Sequence, residues 1–131
     1  MNGNEAIFIM AEDPTPDISP QDIKGKYSPP LTENELAEAF AITSNKFWWI
    51  EDIVYDYDEE SPEYKQAKAL VTEWQSLMEL YEAQIFGILK SEGVVIPKRR
   101  QIDVLIPFME RNGFEDCTGW WMKKHQKIDT Q

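Results

Sequence analysis

Thiol and imidazole are almost missing from this chain. Cys117 is its only cysteine and His125 its only histidine, so no internal disulfide can form, and the two cannot complete a four-ligand thiolate–imidazole zinc site. They also make a poor nucleophile pair, because they flank a turn with no third group to orient either one. The six glycines form no phosphate-cradling loop. No apolar run approaches the roughly 20 residues that a membrane-crossing helix needs. The opening residues, Met1-Asn-Gly-Asn-Glu-Ala-Ile-Phe-Ile-Met10, carry no basic region and too short an apolar run for a secretory signal. A soluble, cytoplasmic chain is expected, and no residue pattern implies a cofactor.

Basic charge is what the first half lacks. Residues 1–60 hold fourteen acidic side chains against Lys24, Lys26 and Lys46, whereas residues 61–131 hold ten of each sign, so the net charge of −11 belongs to the first half. Such a half repels nucleic acid and anionic membrane and favours a basic protein or a cation; it also keeps a small domain in solution. Lys98-Arg-Arg100 and Lys123-Lys-His-Gln-Lys127 lie next to acids that bring residues 97–131 to only +2. Nucleic acid is therefore not the expected partner.

What is present suffices for one core: 131 residues, 42% of them apolar and 12% aromatic. Residues 1–31 read as an extended N-terminal arm, since Pro14, Pro16, Pro20, Pro29 and Pro30 interrupt any regular helix. Within it, Ile7-Phe-Ile-Met10 forms either a short strand or a docked anchor. Residues 32–131 read as a single helical domain. Thr32-Glu-Asn-Glu35 is a capping box, and Leu36, Phe40, Thr43, Phe47, Ile50, Val54 and Tyr57 recur at steps of four and three, which predicts a helix over about 33–57. Ser61-Pro62 restarts a second helix over 62–91, striped by Tyr64, Ala67, Val71, Trp74, Met78, Tyr81, Ile85 and Ile88 and closed by Gly93. Two long helices with so short a link are expected to lie antiparallel. A third helix is expected over 98–112, kinked or divided at Pro107, and Phe114–Met122 reads as an irregular aromatic segment or a small hairpin. The expected fold class is all-α.

The stretch Phe47-Trp-Trp-Ile-Glu-Asp-Ile-Val-Tyr-Asp-Tyr-Asp-Glu-Glu60 carries the functional expectation. Trp48, with Asn45, Asp52 and Tyr55, falls on a face turned away from the helix–helix seam. Either the third helix, the Trp120-Trp121 segment, a second copy of the chain or a partner covers that face, or it is exposed. Asp52, Asp56, Asp58, Glu59 and Glu60 crowd a helix C-terminus, where the macrodipole disfavours negative charge, and Lys65 or Lys68 are the nearest compensating cations. Either this is a solvated turn, or it recognises something basic.

The leading expectation is a non-enzymatic protein-binding module, an inhibitor, immunity-like or adaptor protein, using Trp48, Tyr55, Asp52, Asp56, Asp58, Glu59 and Glu60 against a basic partner. One alternative is a metal-dependent helical enzyme using the pairs Glu35-x-x-Glu38 and Glu79-x-x-Glu82. Positions 38 and 82 fall at similar height, but Glu35, Glu38 and Glu79 point away from the seam, and no Glu-x-x-His motif completes a di-metal site. The other alternative is a structural subunit whose partner is itself, since apolar faces left uncovered would suit a homodimer.

Overall fold

The computed structural model describes residues 18–117 and 120–124. These residues form four helices and a two-stranded sheet: α1 (Pro20–Lys26), α2 (Glu33–Val54), α3 (Pro62–Ser91), α4 (Ile102–Arg111), β1 (Phe114–Cys117) and β2 (Trp120–Lys123). The fold is mostly helical, and the all-α expectation is corrected by the antiparallel sheet, which pairs Phe114 with Lys123 and Asp116 with Trp121. No described helix is long and apolar enough to cross a membrane.

The expected arm is also corrected. Residues 1–17, including Ile7–Met10, lie outside the described residues, but Pro20–Lys26 is helical rather than extended. Ser19 accepts from the Asp22 N–H at 3.1 Å, the Asp22 carboxylate accepts from the Ser19 N–H at 3.2 Å, and Pro20 occupies the first turn. A capping box thus makes the proline an initiator instead of a breaker. Ile23 and Tyr27 are buried, and the Tyr81 hydroxyl donates to the Tyr27 carbonyl at 3.1 Å, so this short helix is pinned to α3.

α2 begins as its capping box requires, with Thr32 and Glu35 exchanging side-chain and backbone bonds. It ends at Val54, short of the expected residue 57, because Asp56 and Tyr57 donate to Ile53 and Val54 in tightened turns and no base in the last turn offsets the acids there. α3 matches its expected bounds. It stops in a Schellman motif, in which Val94 donates to Leu89, Gly93 donates to Lys90, and Gly93 adopts φ 88°, a conformation that costs glycine little. α4 starts four residues later than expected because Arg100 sits at φ 55° and breaks the run; it continues unbroken through Pro107.

α2 and α3 share the most extensive contact in the molecule. At the end remote from their link, Arg111 grips both. Its guanidinium donates to Glu33 at the start of α2, at 2.8 and 2.9 Å, and to Glu92 at the end of α3, at 2.8 and 3.0 Å. These bonds hold the Glu33 carboxyl below its ordinary pKa. The other side of α2 is buried as well: β2 lies on α2 while β1 lies beside α4. Asn45 makes that contact specific, donating to the Trp121 carbonyl at 3.1 Å and accepting from the Trp121 N–H at 3.0 Å. Replacing Asn45 with Ala leaves both backbone groups without these partners, and should lower the unfolding free energy by about 2 kcal/mol while accelerating hydrogen exchange at the Trp121 amide. An unchanged urea midpoint would show that the hairpin is held by its side chains alone.

Candidate functional site

The face shared by Asn45, Trp48, Asp52 and Tyr55 is divided by the hairpin. Its first part is covered: Asn45 is buried and the Trp121 ring lies 6.3 Å from that of Phe40. The cover stops there. Trp48 is 52% exposed and Tyr55 68% exposed, and the indole of Trp48 rests edge-on against Phe47 at 4.8 Å. Trp121 therefore does not bury Trp48, and the aromatic face runs on into solvent. Tyr57, expected in the apolar stripe, is also exposed, because the helix has ended before it.

All five acids singled out in the sequence, Asp52, Asp56, Asp58, Glu59 and Glu60, are exposed. Among the described residues none of them forms an ion pair, and neither Lys65 nor Lys68 reaches them. Asp58 has a local task, since its carboxylate accepts from the Glu60 N–H at 3.2 Å and its carbonyl from the Ser61 hydroxyl at 2.7 Å. The rest of the cluster stands beside Tyr55 with its charge unneutralised by the fold.

The paired glutamates are dispersed into other tasks. Glu35 accepts from the Thr32 N–H at 2.9 Å. Glu38 accepts from the Tyr27 hydroxyl and pairs with Lys123 at 3.5 Å, and that bond together with burial, the larger cause, raises the Tyr27 pKa. Glu79 is exposed and accepts from Gln75 at 3.4 Å. Among the described residues no group of three or more His, Cys, Asp or Glu side chains is placed to hold a metal ion.

Glu82 stands apart from the other three. It lines a cavity of about 360 Å³ whose walls include Phe40, Ser44 and Trp48 from α2 and Met78 from α3, closed by Leu105 of α4 and Trp121 of β2. Gln101, Ile102 and Asp116 complete the described lining. Burial pushes the Glu82 carboxyl above its ordinary pKa, and Glu79 adds to the shift. The sequence could not show this cavity, which takes its lining from α2, α3, α4, β1 and β2 together.

Two outcomes follow from this geometry. A carboxyl whose pKa is raised in the folded state favours folding when protonated, and that contribution is lost as pH rises through the folded pKa. Glu82→Gln should therefore raise the urea midpoint at pH 7, with the difference shrinking as pH falls through the raised folded pKa and gone below the ordinary carboxylate value of 4.5; a lower midpoint at pH 7 would contradict the burial of that charge. Trp48→Ala should cost less than about 2 kcal/mol in urea melts, against about 3–5 kcal/mol for Trp74→Ala, since Trp74 is 2% exposed. Equal losses would mean that Trp48 is a core residue.

Compared with known proteins, the chain matches no family model, no curated protein and no solved structure.

Proposed function

We propose that the chain is a non-enzymatic binding module of the inhibitor, immunity-like or adaptor kind, whose Trp48–Tyr55 face and acidic turn engage a basic protein surface. The observation that carries this is the exposure of two large aromatics on one helix face beside five carboxylates that form no ion pair among the described residues. Tryptophan and tyrosine left half or more in water are the residue types that anchor interfaces. Charges held at an unfavourable helix end are of more use in steering a partner than in stabilising the fold.

The scaffold behind this face is read as an antiparallel pair of long helices, bent α4 included. Two features support the pairing: Arg111 grips the start of α2 and the end of α3 together, and Phe40 and Ser44 share one cavity with Glu82 and Met78. The turn that carries the acids is then the far tip of the pair, free to meet another protein first.

The test places a photo-crosslinking residue at position 55, with a control at position 80 on α3, where Leu80 is also open to solvent at 53% exposure. In extracts of the native host, position 55 should capture a basic protein whose complex weakens as salt rises, and position 80 should not. With that protein purified, changing Asp56, Asp58, Glu59 and Glu60 to Asn or Gln should slow association and flatten its salt dependence, whereas Trp48→Ala should speed dissociation. Capture of an acidic protein, or equal capture at both positions, would overturn the assignment.

A further inference from the structure

The cavity beside Trp48 is built for one kind of charge. Among its described lining residues there is no Lys, Arg or His; the charged groups are the carboxylates of Glu82 and Asp116, of which Asp116 already has an interaction elsewhere in the fold. Gln101 donates its Nε2 to the Pro97 carbonyl at 3.1 Å, which leaves its Oε1 as an acceptor. Glu82 is partly buried and has neither a hydrogen bond nor an ion pair among the described residues. Apart from Ser44 the remaining walls are apolar or aromatic, with Trp48 and Trp121 the two largest.

An anion is excluded from such a place by repulsion, and a neutral apolar ligand would strip water from Glu82 without replacing it. Metal ions are poorly matched, because two carboxylates among tryptophan, methionine and leucine walls fall short of the six or more oxygens that calcium takes or the octahedral shell of magnesium. A cation on an apolar stem satisfies every part: its charge pairs with Glu82 where solvent screening is reduced, its stem lies along the apolar wall, and indole faces attract it further. The volume of about 360 Å³ is at the small end for ligand sites. Trp48 is both the rim of this cavity and the inner end of the exposed aromatic face, so a protein lying on that face reaches the cavity mouth without moving.

We propose that this cavity receives one Lys or Arg side chain from the basic partner, with Glu82 as its counter-charge and Trp48 and Trp121 as its walls. The inference rests on the reading of the Trp48–Tyr55 face as a partner surface, and it names what that partner inserts.

The full chain is titrated with N-acetyl-arginine methylamide, N-acetyl-lysine methylamide and the uncharged N-acetyl-norleucine methylamide, following the indole N–H signals of Trp48 and Trp121 by NMR. Both cationic amides should bind saturably with a dissociation constant of about a millimolar, and the norleucine amide at least about tenfold more weakly. Glu82→Gln should weaken the cations by about tenfold or more while the variant remains at least as resistant to urea at pH 7, so that unfolding does not account for the loss. Equal binding of the neutral amide, or undiminished cation binding in Glu82→Gln, would overturn the proposal. Micromolar binding of free butylammonium or methylguanidinium would overturn its side-chain source and make the cavity a small-molecule site. If the cavity ignores the cations while position 55 still captures a basic protein, this inference alone falls. If the cations bind but position 55 captures nothing basic, the partner reading falls and takes the source of the side chain with it.

Discussion

One buried amide holds the architecture of the site together. Asn45 bridges the Trp121 N–H and carbonyl at 3.0 and 3.1 Å, and through them fixes a two-stranded hairpin on α2. An amide buried without partners is costly, so the register in which both groups are paired is strongly favoured over its neighbours. Everything at the candidate site follows from where that hairpin stops. Phe40 and Asn45 are covered; Trp48, Asp52 and Tyr55 are not, and the space between the indole of Trp48, the hairpin and α4 becomes the cavity that contains Glu82.

The two ends of α2 handle charge in opposite ways. At one end Arg111 binds Glu33 and Glu92 with both edges of its guanidinium while lying 5.0 Å from the Phe108 ring centre, and Asn112 adds a bond to Glu33 at 2.8 Å. Three helices meet there, and both acids are paired with the one guanidinium. At the other end, α2 closes on Asp52, Asp56 and the acidic turn with no base in its last turn. The local physics favours the first arrangement and mildly penalises the second, by a few tenths of a kcal/mol for each exposed acid. That contrast within one small fold is the strongest physical reason to look for an external partner at the turn and not at the Arg111 end.

The same contrast separates the four glutamates considered as metal ligands. Glu35 and Glu38 are absorbed by a helix cap, a tyrosine hydroxyl and Lys123. Of the four, Glu82 alone lines the cavity, and burial disfavours its ionised form. A carboxylate in that position lowers the stability of the fold at neutral pH, and such features persist in proteins chiefly where they serve binding or chemistry.

Sequence alone determined the elements whose signals are local. The boundaries of α3, the capping box of α2, the glycine stop at Gly93 and the buried stripe from Leu36 to Val54 depend on spacing and on residues a few positions apart, so three-to-four periodicity and cap chemistry suffice to read them. The helix Pro20–Lys26 was equally legible in Ser19-Pro-Gln-Asp22, but the density of prolines pointed to an extended arm, although proline is favoured in a first turn. The exposure of the acidic turn could be read from composition. Tertiary structure decided the rest: that Asn45 is buried and Trp48 is not, although they share a helix face; that Glu82 lines a cavity while Glu79, three residues away, faces water; and that Arg111 joins α2 to α3. Each of these depends on contacts between residues on different elements, far apart in the sequence. Periodicity within a helix identifies a face, and only the packing of distant segments determines how far along that face the cover extends.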